Sequence, residues 1–166
     1  MTTSPTPLPP ELVGPPQALL KSTTFLLKLL GAAVKERSLA AFEASEHNPQ
    51  HYAVLSLLDE GTRDTQAAIA DALGYDRSHL VGLLDELEGK NLVERQRDRS
   101  DRRRHVVSLT PAGKKTLGEL RAVAKQVETE FLAPLDPEER QALHGLLLEL
   151  VAHHDPRCGF VAKPTS

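Results

Sequence analysis

Aromatic residues are scarce in this chain, with no tryptophan, two tyrosines and four phenylalanines in 166 residues. Single-stranded nucleic acids are held largely by stacking bases on such rings, so that mode of binding is disfavoured. Cysteine is scarcer still. Cys158 stands alone, which excludes an internal disulfide and any cysteine-based zinc site. An excess charge of one sign is also missing, because the formal net charge is −3 and the pI about 6.2. A bulk polycation argument for a nucleic-acid partner therefore fails, and only a local cluster can support one. No long hydrophobic run is present: the stretch Phe25 to Val34 is broken by Lys28 and is too short for a bilayer. The opening MTTSPTPLPP lacks the basic and apolar regions of a signal peptide. A Gly-rich phosphate loop, a nucleophile–His–acid set and a metal motif are lacking too. These absences lead us to expect a soluble, cytoplasmic protein that is not an enzyme, carries no cofactor and avoids membranes.

What is present concentrates between Thr65 and Thr110. Ala67, Ile69, Ala70 and Leu73 give a short helical pattern that stops at Gly74, the residue that most easily takes the left-handed conformation at a helix end. Asp76 is a natural N-cap for a second helix, with Leu80, Leu84 and Leu87 on one face. Two helices joined by a short turn with a glycine form a helix-turn-helix, whose second helix lies in the major groove. A hairpin follows. Leu92, Val93 and Glu94 lead to a tip, and Val106, Val107, Ser108 and Leu109 return from it. Between Glu94 and Arg104 lie six arginines against three acids. Such a run is often only a solvated surface. Directly after a helix-turn-helix it makes a wing, where guanidinium forks suit phosphates and a narrow minor groove.

The segments TQAAIADALG, DRSHLVGLLDELEGKNLVER and DRSDRRRHVVSLTPAGK resemble the core of the MarR family of bacterial transcriptional regulators. With flanking helices the resemblance covers about residues 17 to 154. It implies a mainly α fold with a small β wing, a winged helix-turn-helix core flanked by N- and C-terminal dimerisation helices. The expected organisation is an arm at 1–15, one domain at 16–154 and a flexible tail at 155–166. Within the domain the winged helix-turn-helix spans about 48–110 and the dimerisation helices about 17–46 and 110–154. The resemblance also implies a repressor that binds a near-palindromic operator as a homodimer. A small effector, often a phenolic or other aromatic anion, is implied as well.

Periodicity in the flanks agrees with a dimer. From Gln17 to about Ala44 the pattern is helical and apolar over more than one stripe: Leu19, Leu26 and Leu30 form one row, and Leu20, Leu27 and Val34 the next. A helix apolar on several sides must be covered on several sides. Asn48-Pro49 and Thr110-Pro111 read as cap-then-proline helix starts. Leu117, Leu120, Ala124, Val127 and Phe131 follow the second start at spacings of three and four. Asp136 and Glu139 predict a capping box, opening a helix with Leu143, Leu146, Leu147, Leu150 and Val151 on its stripe. The alternative is that these stripes form only an intrachain bundle.

Expected DNA contacts are Thr65 and Gln66 on the first helix, and Arg77, Ser78, His79 and Val81 on the recognition helix. On the wing they are Arg97, Arg99, Asp101, Arg102 and Arg103. By resemblance, the Asp101 carboxylate orients Arg103 for the minor groove. Gly82 can read no base, and Glu86, where the family often has a basic residue, would repel phosphate. Arg37, His51 and Tyr52 are the polar groups offered toward an effector, each with a structural or surface role as the alternative. Two rival readings stay open. One is a zinc-responsive regulator of the same fold, although His144 and His153-His154 are nine and ten residues apart and lack companions. The other is a winged helix serving protein contacts alone, which the basic tip argues against. Thiol-based peroxide sensing finds no residue near the first helix, and Cys158 is read as incidental.

Overall fold

A computed structural model describes residues 14–61, 64–101 and 103–158. The element order is α1 (Gln17–Leu20), α2 (Thr23–Glu43), α3 (Pro49–Glu60), β1 (Asp64–Thr65), α4 (Gln66–Leu73), α5 (Arg77–Gly89), β2 (Val93–Arg97), β3 (His105–Leu109), α6 (Pro111–Phe131) and α7 (Pro137–His154). By its contacts the chain divides into two units, residues 1–37 and 38–166, where the sequence led us to expect one domain.

In the first unit the single long helix expected from Gln17 is interrupted. Ser22 accepts the Phe25 N–H on its hydroxyl at 3.4 Å and the Leu26 N–H on its carbonyl at 3.0 Å. That is an N-cap arrangement, so the serine opens α2 instead of continuing α1. Among the described residues of this unit none is buried. Its leucines have nothing within the unit to cover them, which is the physical reason that it separates.

The second unit holds the core. Val54, Leu55 and Leu58 of α3 meet Ile69 and Ala70 of α4, the Leu80, Leu84 and Leu87 face of α5, and Leu117 and Leu120 of α6. Phe42, from the end of α2, joins them. The caps read from the sequence are in place: Asn48 accepts from the His51 N–H, Thr65 from Ala68, Thr110 from Gly113 and Asp136 from Glu139. The sheet has the order β1-β3-β2 with antiparallel pairing throughout. Arg95 stands opposite Val107, and Arg97 opposite His105. β1 was not anticipated, because two residues are too few to show a period of two.

Two terminal features complete the unit. Gly113 packs so closely on the residue preceding β2 that an added Cβ would overlap the Leu92 carbonyl oxygen, which ties the start of α6 to the base of the wing. After α7, Pro156–Cys158 form a 3-10 turn, so the segment expected as a flexible tail begins in ordered structure. There Arg157 grips Asp155 with both arms of its fork, at 2.9 and 2.6 Å. Its guanidinium lies against Gly74. Residues 1–13 of the expected arm and 159–166 of the expected tail lie outside the described residues.

Candidate nucleic-acid interface

The turn between α4 and α5 is built as the sequence dictates. Gly74 sits at φ 67°, and the next amide, Tyr75 N–H, returns to the Ala70 carbonyl at 2.9 Å. Asp76 then caps α5, accepting the Ser78 N–H at 2.8 Å, the His79 N–H at 3.3 Å and the Ser78 hydroxyl. The Ser78 hydroxyl, followed by the two amides, holds the Asp76 carboxyl below the usual carboxylate range. With Leu80, Leu83, Leu84 and Leu87 turned inward, Arg77, Ser78, His79, Val81 and Gly82 are left facing solvent. The His79 ring meets Tyr75 edge-on at 5.7 Å, which fixes its direction. Thr65 spends its hydroxyl oxygen on the Ala68 amide at 3.1 Å.

Acids shape the wing more than they face outward. Asp98 accepts the Ser100 N–H at 2.8 Å and hydroxyl at 2.7 Å, and these bonds depress its carboxyl pKa. Its own amide closes the loop onto the Arg104 carbonyl at 2.9 Å. Asp101 accepts the Arg103 backbone N–H at 3.0 Å, and its carboxylate lies 3.5 Å from Arg104 Nε. The expected carboxylate–guanidinium pair therefore forms with Arg104, one residue beyond Arg103. Nothing in the run RRR distinguishes those partners before the loop is closed. Arg97, Arg99 and Arg103 are exposed, and Arg102 lies outside the described residues.

Between α4, the start of α5 and the wing runs a groove of about 590 Å³. Thr65, Gln66, Arg77 and Val81 line it on the helical side, and Arg103, Arg104 and His105 on the wing side. Arg97 and Arg99 flank a separate recess of about 340 Å³ with Thr65, Gln96 and Ser108. Arg104 and His105 were not among the expected contacts. The arrangement offers a concave surface to a polyanion, lined by three arginines and apolar Val81 against one acid, Asp71.

The effector candidates separate. His51 is buried and fully engaged: Asn48 N–H donates to Nδ1 at 3.4 Å, and Nε2 donates to Glu86 at 2.8 Å. It is a structural bridge rather than an open ligand donor, and Glu86 is its acceptor rather than an idle negative charge. Tyr52 is half-buried with its ring 5.6 Å from Phe42. Arg37 is exposed in the first unit. Among the described residues no group of three or more His, Cys, Asp and Glu side chains is placed to hold a metal ion. None of the described helices is long and apolar enough to cross a membrane.

A profile of the MarR family matches residues 48–104. A protein of Thauera aromatica named as a transcriptional regulatory protein for the hcr operon is 33% identical over 102 residues, 61% of this chain and 61% of that protein. The match thus spans less than two thirds of that relative. The structure of the transcriptional repressor CouR bound to a 23-mer DNA duplex is 33% identical with a TM-score of 0.73, covering 80% of this chain and 94% of that one. CouR from Rhodococcus jostii RHA1 bound to p-coumaroyl-CoA is 25% identical with a TM-score of 0.68, covering 81% and 95%.

Proposed function

The chain belongs to the MarR family of transcriptional regulators, and from that premise we propose that it is a repressor binding a near-palindromic duplex operator as a homodimer. The observation that carries this reading is the groove in which Arg77 of the recognition helix and Arg103 and Arg104 of the wing converge. In the proposed complex α5 enters the major groove, with Arg77, Ser78 and His79 toward base edges and phosphates, while the wing arginines take the flanking minor groove. Arg97, Arg99, Arg102 and Arg103 carry most of the affinity on this reading. Val81 and Gly82 leave the middle of the helix with little to read beyond a thymine methyl.

The second copy is supported by what the single chain leaves uncovered. Leu30 is 51% exposed and Leu146 62%, and α7 buries none of its residues. Two-fold pairing of such faces would set two recognition helices about one duplex turn apart. A small aromatic anion is the proposed effector class; the Rhodococcus jostii relative holds p-coumaroyl-CoA, a larger thioester that shares with that class only an aromatic acyl group.

Selection of bound duplexes from a random pool tests the reading. Enrichment of an inverted repeat is expected, with log Kd linear in log salt. Arg103→Ala is expected to weaken selected and random duplexes alike and to lower the salt slope by about one per protomer. Absence of binding to any duplex at low salt would overturn the proposal.

A further inference from the structure

Among the described arginines of the basic run, Arg95 alone is half-buried. Arg95 lies on β2 two residues after the buried Val93, so the strand's alternation turns it inward toward α5. There its Nη2 donates to Asp85 at 2.6 Å and its Nε donates to Glu88 at 3.0 Å. The same Glu88 carboxylate accepts the Arg95 backbone N–H at 3.2 Å. β2 is an edge strand, so this amide would otherwise lack a partner in the sheet. With a further bond from Nη2 to Glu88, four bonds thus join the first residues of the wing to the last turns of the recognition helix, one of them through the backbone. An isolated, exposed ion pair holds little. This one differs, because a planar fork spans two carboxylates and a main-chain donor shares one of them.

We propose that Arg95 is a positioning residue for DNA binding: clamped to Asp85 and Glu88, it fixes the pitch of the wing against the recognition helix and touches no phosphate. This rests on the duplex-binding reading above. The clamp explains why a DNA-facing helix keeps two acids beside its binding surface, since both are bound by the arginine and its single charge offsets one of their two. Glu88 accordingly lies below the usual carboxylate range, chiefly through its hydrogen bond from the Arg95 side chain.

The test uses the full chain and three variants: Arg95→Gln, Arg95→Lys and Glu88→Ala. Hydrogen exchange at the Arg95 amide reads the clamp without DNA, and Glu88→Ala is expected to speed it while distant core amides stay protected. Unchanged protection there would overturn the clamp, whatever DNA does. Operator titration across salt then reads the role in binding. Arg95→Gln is expected to weaken binding about tenfold with an unaltered salt slope, and Arg95→Lys to recover only part of that loss. Glu88→Ala removes a negative charge near DNA, so simple electrostatics demands tighter binding, whereas the clamp demands weaker binding. Tighter binding by Glu88→Ala, or a slope lowered by one in Arg95→Gln, would make Arg95 a phosphate contact and end the proposal. If the wild-type chain binds no duplex, the functional reading falls while the exchange measurement still decides the clamp.

Discussion

His51 joins two elements through one ring. Its Nδ1 closes the capping box at the start of α3 by accepting from Asn48, and its Nε2–H reaches Glu86 on α5. Both bonds are satisfied together only by the neutral tautomer with its proton on Nε2. Burial pushes the His51 pKa below the ordinary 6.5, more than the Glu86 hydrogen bond raises it. His47, edge-on to His51 at 5.6 Å, is lowered for the same reason, with Lys90 adding to the effect. In the interval below 6.5 the unfolded chain therefore binds more protons than the folded one. Stability is fully present above that value and falls as the solution is acidified through the folded pKa. Thermal unfolding between pH 7.5 and 5 is expected to show a falling midpoint. His51→Gln keeps an acceptor suited to a capping box and removes one titrating ring. It should lower the midpoint at pH 7.5 and flatten the fall; an equally steep fall would place the acid sensitivity elsewhere.

α6 begins at a junction that makes the wing and the helix one structural piece. Thr110 accepts the Gly113 N–H at 2.9 Å and donates its hydroxyl toward the Asn91 carbonyl at 2.7 Å. Thr110→Ala removes the cap and that crosslink and is expected to cost about 1–2 kcal/mol. Denaturant unfolding at fixed protomer concentration reads that loss, and Thr110→Ser should restore most of it. Such caps were legible in the sequence because each needs only a short-range pattern: Asn-Pro, Thr-Pro, Asp with Glu three residues on. The inward leucines of α5 were legible for the same reason, and so were Arg77, Ser78 and His79 on its outer side. Most of what stayed hidden depends on chain closure. β1 exists only because β3 passes beside Asp64 and Thr65, whereas the Ser22 cap is local and was masked by the apolar periodicity that runs through it. Asp101 selects Arg104 through a loop that no spacing rule describes. Arg95 is the intermediate case: the alternation with Val93 already turned it inward, but its two acid partners come from another element.

On the proposed reading, assembly decides how the arginine-rimmed groove becomes a reader of an operator. A single wing and helix touch few base edges, and this chain spends two recognition-helix positions on Val81 and Gly82. In the proposed complex selectivity comes from joining two half-sites, where a linked second contact acts at a high effective concentration and adds about 10²–10⁴ in avidity. The leucines of α2 and α7 are the proposed means of joining. Burying a leucine fully is worth roughly 1.5–3 kcal/mol, so several per copy suffice for a stable pair. Leu146 is exposed and absent from the core cluster, so a charge there spares the winged helix while penalising the interface. Leu30→Glu combined with Leu146→Glu is therefore expected to give a protein that sediments as a monomer at micromolar concentration with an unchanged far-UV spectrum. Its affinity for the inverted repeat should drop by about two orders of magnitude or more, to that of one half-site, and its salt slope should halve, since half the phosphate contacts are gone. A dimer that persists in this variant would assign the two-fold contact to other surfaces. A monomer that still binds the full repeat tightly would mean that one groove suffices, and that the helix and wing read more of the duplex than their side chains suggest.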